Sequence, residues 1–194
     1  MILQNVVFGN QLVVRGAHPA TVESVLTLLT SFLPANCVFN LGYCQRYEHC
    51  SSCRAIGLPL HVEVPTAESI LVLDVISALD KPRDLRCFRL LLHVRPDLHK
   101  LLTPPPKIVD EIVELIQLAK FQETYAATLA AVIQKWAGKA LSYFLFTKTH
   151  PDAASDEKKF LGIIQAGEND VFVLRVFKGA LKHHEKNKLL NEVQ

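Results

Sequence analysis

Cys37, Cys44, Cys50 and Cys53 put four of the chain's five cysteines into one short stretch, spaced C-x6-C-x5-C-x2-C, with His49 beside Cys50. Two thiolates two residues apart can turn towards one ion, which suits tetrahedral zinc, and Cys37 and Cys44 could complete a four-sulfur shell. Four thiolates also serve an iron–sulfur cluster. Free cysteines equally pack as small hydrophobes with no metal. The spacing leaves these three readings open: zinc, an iron–sulfur cluster, or plain thiols. A four-thiolate shell has no vacant position for water or substrate, so the zinc reading is structural rather than catalytic. Cys87, inside the apolar stretch from Leu85 to Val94, reads as a core thiol.

The second group is cationic. Between Lys81 and Lys100 lie Lys81, Arg83, Arg86, Arg89, Arg95 and Lys100, against Asp84 and Asp97. On a helix, Arg86, Arg89 and His93 share one face and could bridge phosphates or another anion. The plainer reading is the solvated face of a core helix. Aromatic residues do not interleave with the stripe, which disfavours single-stranded nucleic acid. A second patch, with Lys182 and Lys186 as the candidate contacts, lies in the tail among Lys178, His183, His184 and Lys188. Basic groups at a helix C-terminus account for part of it without any partner.

Sequence signatures of catalysis are missing. There is no G-x-S-x-G, H-E-x-x-H, G-x-x-x-x-G-K-[ST] or G-x-G-x-x-G. Such motifs place a nucleophile, a metal or a phosphate cradle at one fixed turn. A site assembled in space leaves no local signature, so an enzyme stays open as an alternative.

The elements that would carry these groups read as mainly helical, α+β in detail. Val6-Val7-Phe8 and Leu12-Val13-Val14 flank Gly9-Asn10, which suits a tight turn needing positive φ and predicts a short N-terminal β-hairpin. Val22, Val25, Leu26, Leu29 and Phe32 keep a helical period that Pro34 stops. From Asn36 to Gly57 the periodicity disappears, giving a Cys-rich loop. A short strand is expected over Leu58–Val64. Helices are expected from Thr66 to about Leu79 and from about Arg83 to Val94.

Thr103-Pro104-Pro105-Pro106 favours a stiff extended linker, so the expected organisation is 1–103 and 104–194. Beyond it, Ile108, Ile112, Leu115 and Ile116 begin an apolar series at helical spacing that reaches Phe144. One long helix or a helical hairpin fits. Another helix is expected from Ser155 or Asp156 to about Gln165. From Asp170 to Phe177 strand propensity competes with helical spacing, and helix is the reading taken.

Composition adds bounds. The chain has 194 residues, 49% hydrophobic and 21% charged, with a formal net charge of +2. This excludes a disordered or collagen-like polymer and gives no global polyelectrolyte signal. The most apolar long window, Tyr125 to Phe146, contains Lys135 and Lys139, so no membrane span is expected. The N-terminus does not read as a secretory signal, which places the expected location in the cytoplasm. The function expected from these features is a non-enzymatic binding protein, an adaptor or a subunit of an assembly. Its partner would be another protein or a second copy of the chain. The alternatives are a zinc-stapled DNA-binding transcriptional regulator and a cytosolic enzyme with a spatially assembled site.

Overall fold

The computed structural model describes residues 1–67, 69–77, 88–93, 103–118, 122–149 and 154–181. The chain divides into two compact units. The first is Met1–Ser31 with Val38–Lys100, and the second is Phe32–Cys37 with Leu101–Gln194. The α+β class with mainly helical content is what the structure has.

The first unit is built on a five-stranded sheet of order β2-β3-β1-β4-β5. The strands are β1 (Gln11–Gly16), β2 (Asn40–Tyr43), β3 (Ala55–Leu58), β4 (Ile70–Ser77) and β5 (Phe88–His93). β1 is central and runs parallel to β3 and β4, β2 is parallel to β3, and β5 closes the edge antiparallel to β4.

The N-terminal hairpin is not formed. Residues Ile2–Val7 are a helix, α1, and Leu12-Val13-Val14 belong to the middle of the sheet. The positive φ expected at the turn does occur, at Gly9 with φ 74°, but it ends α1. There Gly9 N–H donates to Val6 O and Asn10 N–H donates to Asn5 O, the pattern of a left-handed helix stop. The uninterrupted apolar run in β1 follows from burial on both faces, as parallel strands require.

Two expected helices are strands instead. The stretch from Thr66 contains β4, and the stretch from Arg83 contains β5. In β4 the consecutive apolar residues Ile70-Leu71-Val72-Leu73 fit a buried sheet better than a helix with one wet face, and β5 is fixed as a strand by its antiparallel pairing with β4. The short strand expected over Leu58–Val64 lies earlier, at β3.

Helix α2 (Pro19–Thr30) packs on β1, β2 and β3. Two glycines make that contact close. A Cβ on Gly57 would stand 2.7 Å from Val22 Cγ1, and one on Gly16 would stand 2.8 Å from Val22 Cγ2.

The second unit contains α3 (Lys107–Leu118), α4 (Gln122–Thr149), α5 (Ala154–Ile163) and α6 (Val171–Lys178). The long apolar series is thus divided between two helices. α4 packs against α3, α5 and α6. Trp136 of α4 is fully buried and donates from Nε1 to Glu111 Oε2 of α3 at 3.0 Å. Phe146 stacks on Phe160 with ring centroids 4.2 Å apart, joining α4 to α5. The Phe32–Cys37 segment is tied to the α6 end through Asn36 Nδ2 donating to Ala180 O at 3.0 Å. The competing propensities from Asp170 resolve as helix, with Val173, Leu174 and Phe177 buried. Among the described residues, no helix is long and apolar enough to cross a membrane.

Candidate functional sites

In the first unit the Cys-rich loop is organised by an amide. Gln11, buried at the start of β1, donates from Nε2 to Glu48 O at 2.9 Å and Cys53 O at 3.2 Å, and touches Cys53 Sγ at 3.3 Å. Its Oε1 accepts the Tyr47 hydroxyl at 2.8 Å. One buried side chain therefore ties together three polar groups of the loop, the Glu48 and Cys53 carbonyls and the Tyr47 hydroxyl.

The four cysteines have different surroundings. Cys53 is buried in an apolar cluster with Val13, Ile56, Leu58 and Ile70. Burial pushes its thiol pKa up, the Gln11 contact opposes this, and negative charge at Cys44, Glu48 and Cys50 adds to the rise. Tyr47 is raised too, first by burial and then by Cys50 and Cys53. Cys44 follows β2, half-buried, with its N–H on Gly57 O at 2.8 Å. Cys50 is exposed, its Sγ 3.7 Å from His49 Nδ1. Cys37 belongs to the second unit, where its buried thiol donates to Val176 O at 3.4 Å. Among the described residues, no group of three or more His, Cys, Asp or Glu side chains is placed to hold a metal ion. Cys87 lies outside the described residues.

His49 Nδ1 also contacts Ser51 Oγ at 2.9 Å, an exposed pairing two residues apart within one turn.

The expected cationic helix face is corrected by β5. Arg89 stands opposite Ile76 and His93 opposite Val72 in the antiparallel register, so helical spacing does not relate them. Arg86, Lys182 and Lys186 lie outside the described residues.

The second unit contains features without a local sequence signature. A cavity of about 420 Å³ is bordered by Pro104, Pro105, Lys107, Leu161, Gly162 and Ala166, among others. Asp170, almost fully buried beside it, accepts the N–H groups of Lys107 and Gly167, each at 2.7 Å. α3 buries Ile108, Val109 and Ile112, while Val113, Ile116 and Leu118 stay exposed. The exposed series follows the buried one along the helix, with Ile116 one turn beyond Ile112, so the apolar face of α3 continues past the part that it packs.

The family model described as the folliculin C-terminal domain matches residues 1–190 of this chain. Curated relatives include folliculin of Xenopus tropicalis, 24% identical over 208 residues, and of Homo sapiens, 25% identical over 217 residues. Both alignments cover 100% of this chain and 36% of the relative. Folliculin of Bos taurus is 23% identical over 204 residues, covering 98% of this chain and 35% of the relative. The chain therefore spans about a third of the length of these relatives.

Proposed function

This chain belongs to the folliculin C-terminal domain family, and on that premise we propose that it works as a protein-interaction module, an adaptor or a subunit of an assembly. The observation that carries this reading is α3. Its buried residues, Ile108, Val109 and Ile112, are followed by exposed Val113 and Ile116, with Leu118 74% exposed. A helix needs only one apolar stripe to pack into its own fold. An apolar stripe that runs on exposed past the part packed in its own fold is the chemistry by which a helix docks into a partner's groove. Ile163 and Phe172, 76% and 52% exposed, extend the apolar content of the same unit's exterior. Exposed large apolar groups in number mark an interaction surface more often than single ones do.

The test is affinity capture on the immobilised chain, followed by reconstitution with each captured protein made separately. The expected result is at least one complex of fixed stoichiometry. A chain that forms no reconstituted complex with any captured protein overturns the reading.

A further inference from the structure

Two lysine ammonium groups in the second unit share one neutral acceptor. Lys107 Nζ donates to Gln165 O at 3.3 Å, and Lys139 Nζ donates to the same oxygen at 3.0 Å. Gln165 presents that carbonyl from a left-handed conformation, φ 56°, just past the end of α5. Neither ammonium has a carboxylate partner among the described residues. The acids nearby are committed elsewhere. Glu111 takes Lys135 Nζ at 2.8 Å and Trp136 Nε1 at 3.0 Å. Glu168 pairs with Lys158 at 3.2 Å. Both oxygens of Asp170 are occupied by backbone N–H groups.

The electrostatics agree with this count of partners. Lys139 has its pKa lowered, first by burial and next by the like charge of Lys135, with Lys107 acting in the same direction and Glu111 and Asp170 opposing. Two cations on one carbonyl dipole leave donor capacity and positive charge for an anion.

We propose that Lys107 and Lys139 form a carboxylate-binding site, and that the adjoining cavity takes an apolar side chain of the same acidic peptide segment on a partner protein. This deepens the protein-interaction reading and rests on it. The cavity decides the kind of ligand. Pro104, Pro105, Leu161 and Ala166 make much of its border apolar, and Lys107 stands on it; the acids on the same border are already engaged, Glu168 with Lys158 and Asp170 with two backbone N–H groups. Phosphate sites commonly recruit free backbone N–H groups at a helix start. Here the N–H groups of Lys107 and Gly167 are already spent on Asp170. What remains is a pair of long flexible ammonium groups beside an apolar hollow, which suits a carboxylate next to an apolar residue.

The site has its own reporter. Trp136 is the chain's single tryptophan, and Lys139 Nζ lies 4.4 Å from its ring centroid. The experiment titrates the full chain with a fluorescein-labelled peptide of alternating Leu and Glu, with its Leu–Gln counterpart, and with inorganic phosphate. Anisotropy and Trp136 fluorescence are read together. The Leu–Glu peptide is expected to bind, to change Trp136 emission, and to weaken as ionic strength rises from about 0.05 M to about 0.5 M. Lys107→Gln and Lys139→Gln should each weaken it about tenfold, the scale of one charge-assisted contact.

Gly162→Leu tests the hollow without endangering the fold. Gly162 borders the cavity, and a Cβ added there meets nothing within 4 Å. Leucine also favours the helix more than glycine does. The variant should fold and lose the peptide.

Equal binding of the Leu–Gln peptide overturns the proposal, as does binding indifferent to Lys107→Gln and Gly162→Leu. So does phosphate that reproduces the whole Trp136 response and displaces the peptide at equal concentration. If Lys107→Gln keeps its reconstituted partner complex at full affinity, this site falls while the module reading stands. If the unaltered chain forms no partner complex, the module reading falls whatever the peptides do.

Discussion

Asp74 of β4 receives both arms of the Arg15 guanidinium, Nε at 2.6 Å and Nη2 at 2.7 Å, from the position directly opposite it in β1. The third contact of Arg15, from Nη1 to Val62 O at 3.1 Å, holds the guanidinium to the chain beyond β3. Hydrogen bonding to Asp74 raises the Arg15 pKa against the opposing effect of burial, so the cation is kept throughout the accessible pH range. The pair is mostly withdrawn from water, with side chains 20% and 7% exposed. Removing the Asp74 charge leaves the mostly buried Arg15 guanidinium without its carboxylate. Asp74→Asn should therefore cost about 2–4 kcal/mol. Urea unfolding of the two chains side by side measures it, and a loss below about 1 kcal/mol would rank the pair with exposed surface bridges.

The thiols should separate into classes. Cys50 is exposed and Cys44 half-buried, whereas Cys37 and Cys53 are buried. Under native conditions iodoacetamide is expected to label Cys50 first and to reach Cys37 and Cys53 only through opening of the fold. Peptide mapping by mass spectrometry reads the order. Common protection of Cys37, Cys44, Cys50 and Cys53, released together by a chelator, would contradict it and would support the four-sulfur zinc reading.

Stability should also fall on the alkaline side through Cys53. Its native pKa lies above the ordinary thiol value because of burial. The native state thus holds this proton more tightly than the unfolded chain does. That contribution is complete below the unfolded pKa and is lost as pH rises through the native one. Tyr47, raised for the same first reason, acts in the same direction at higher pH. Lys139 has the opposite sign, because its lowered pKa means that deprotonation relieves a cost in the native state. Cys53→Ala should flatten the alkaline decline in chemical-denaturation midpoint. An unchanged slope would count against a native thiol held protonated.

Gly57 sits where α2 comes down on the sheet, with Val22 Cγ1 at 2.7 Å and Leu26 Cδ1 at 3.2 Å from a would-be Cβ. Gly57→Ala should cost about 1–3 kcal/mol by overpacking. Val22→Ala in the same chain should recover part of that loss, since the two residues share one space. Strictly additive losses in thermal unfolding would show that the close approach does not matter.

The helices of the second unit are legible in the sequence because each packs one stripe. Ile108 and Ile112 repeat at helical spacing, and Val173, Leu174 and Phe177 do the same in α6. The sheet is less legible for a physical reason. β1 is buried on both faces and has no alternation to read, and its partners β3 and β4 are distant in sequence. Its neighbour Gly9 does announce a positive φ, but a helix stop and a hairpin turn require the same conformation. In β5, Leu90-Leu91-Leu92 fits a helix as readily as an edge strand until β4 is there to pair with it.

The candidate sites are harder still to read. Arg15 and Asp74 are 59 residues apart, and Gln11 reaches Cys53 across 42. Lys107 and Lys139 meet on Gln165 only after three helices have packed. The cysteine spacing, by contrast, is visible at once, yet it does not reveal that Cys37 folds with α6 and the other three with the sheet.

Native mass spectrometry of the chain mixed with its reconstituted partner, compared with the Ile116→Asp variant, tests the interaction-module account most directly. The account predicts one complex of fixed stoichiometry for the unaltered chain, and at least a tenfold loss of affinity when a charge enters the exposed stripe of α3. A chain that remains unbound, or a complex indifferent to Ile116→Asp in a folded variant, would contradict it.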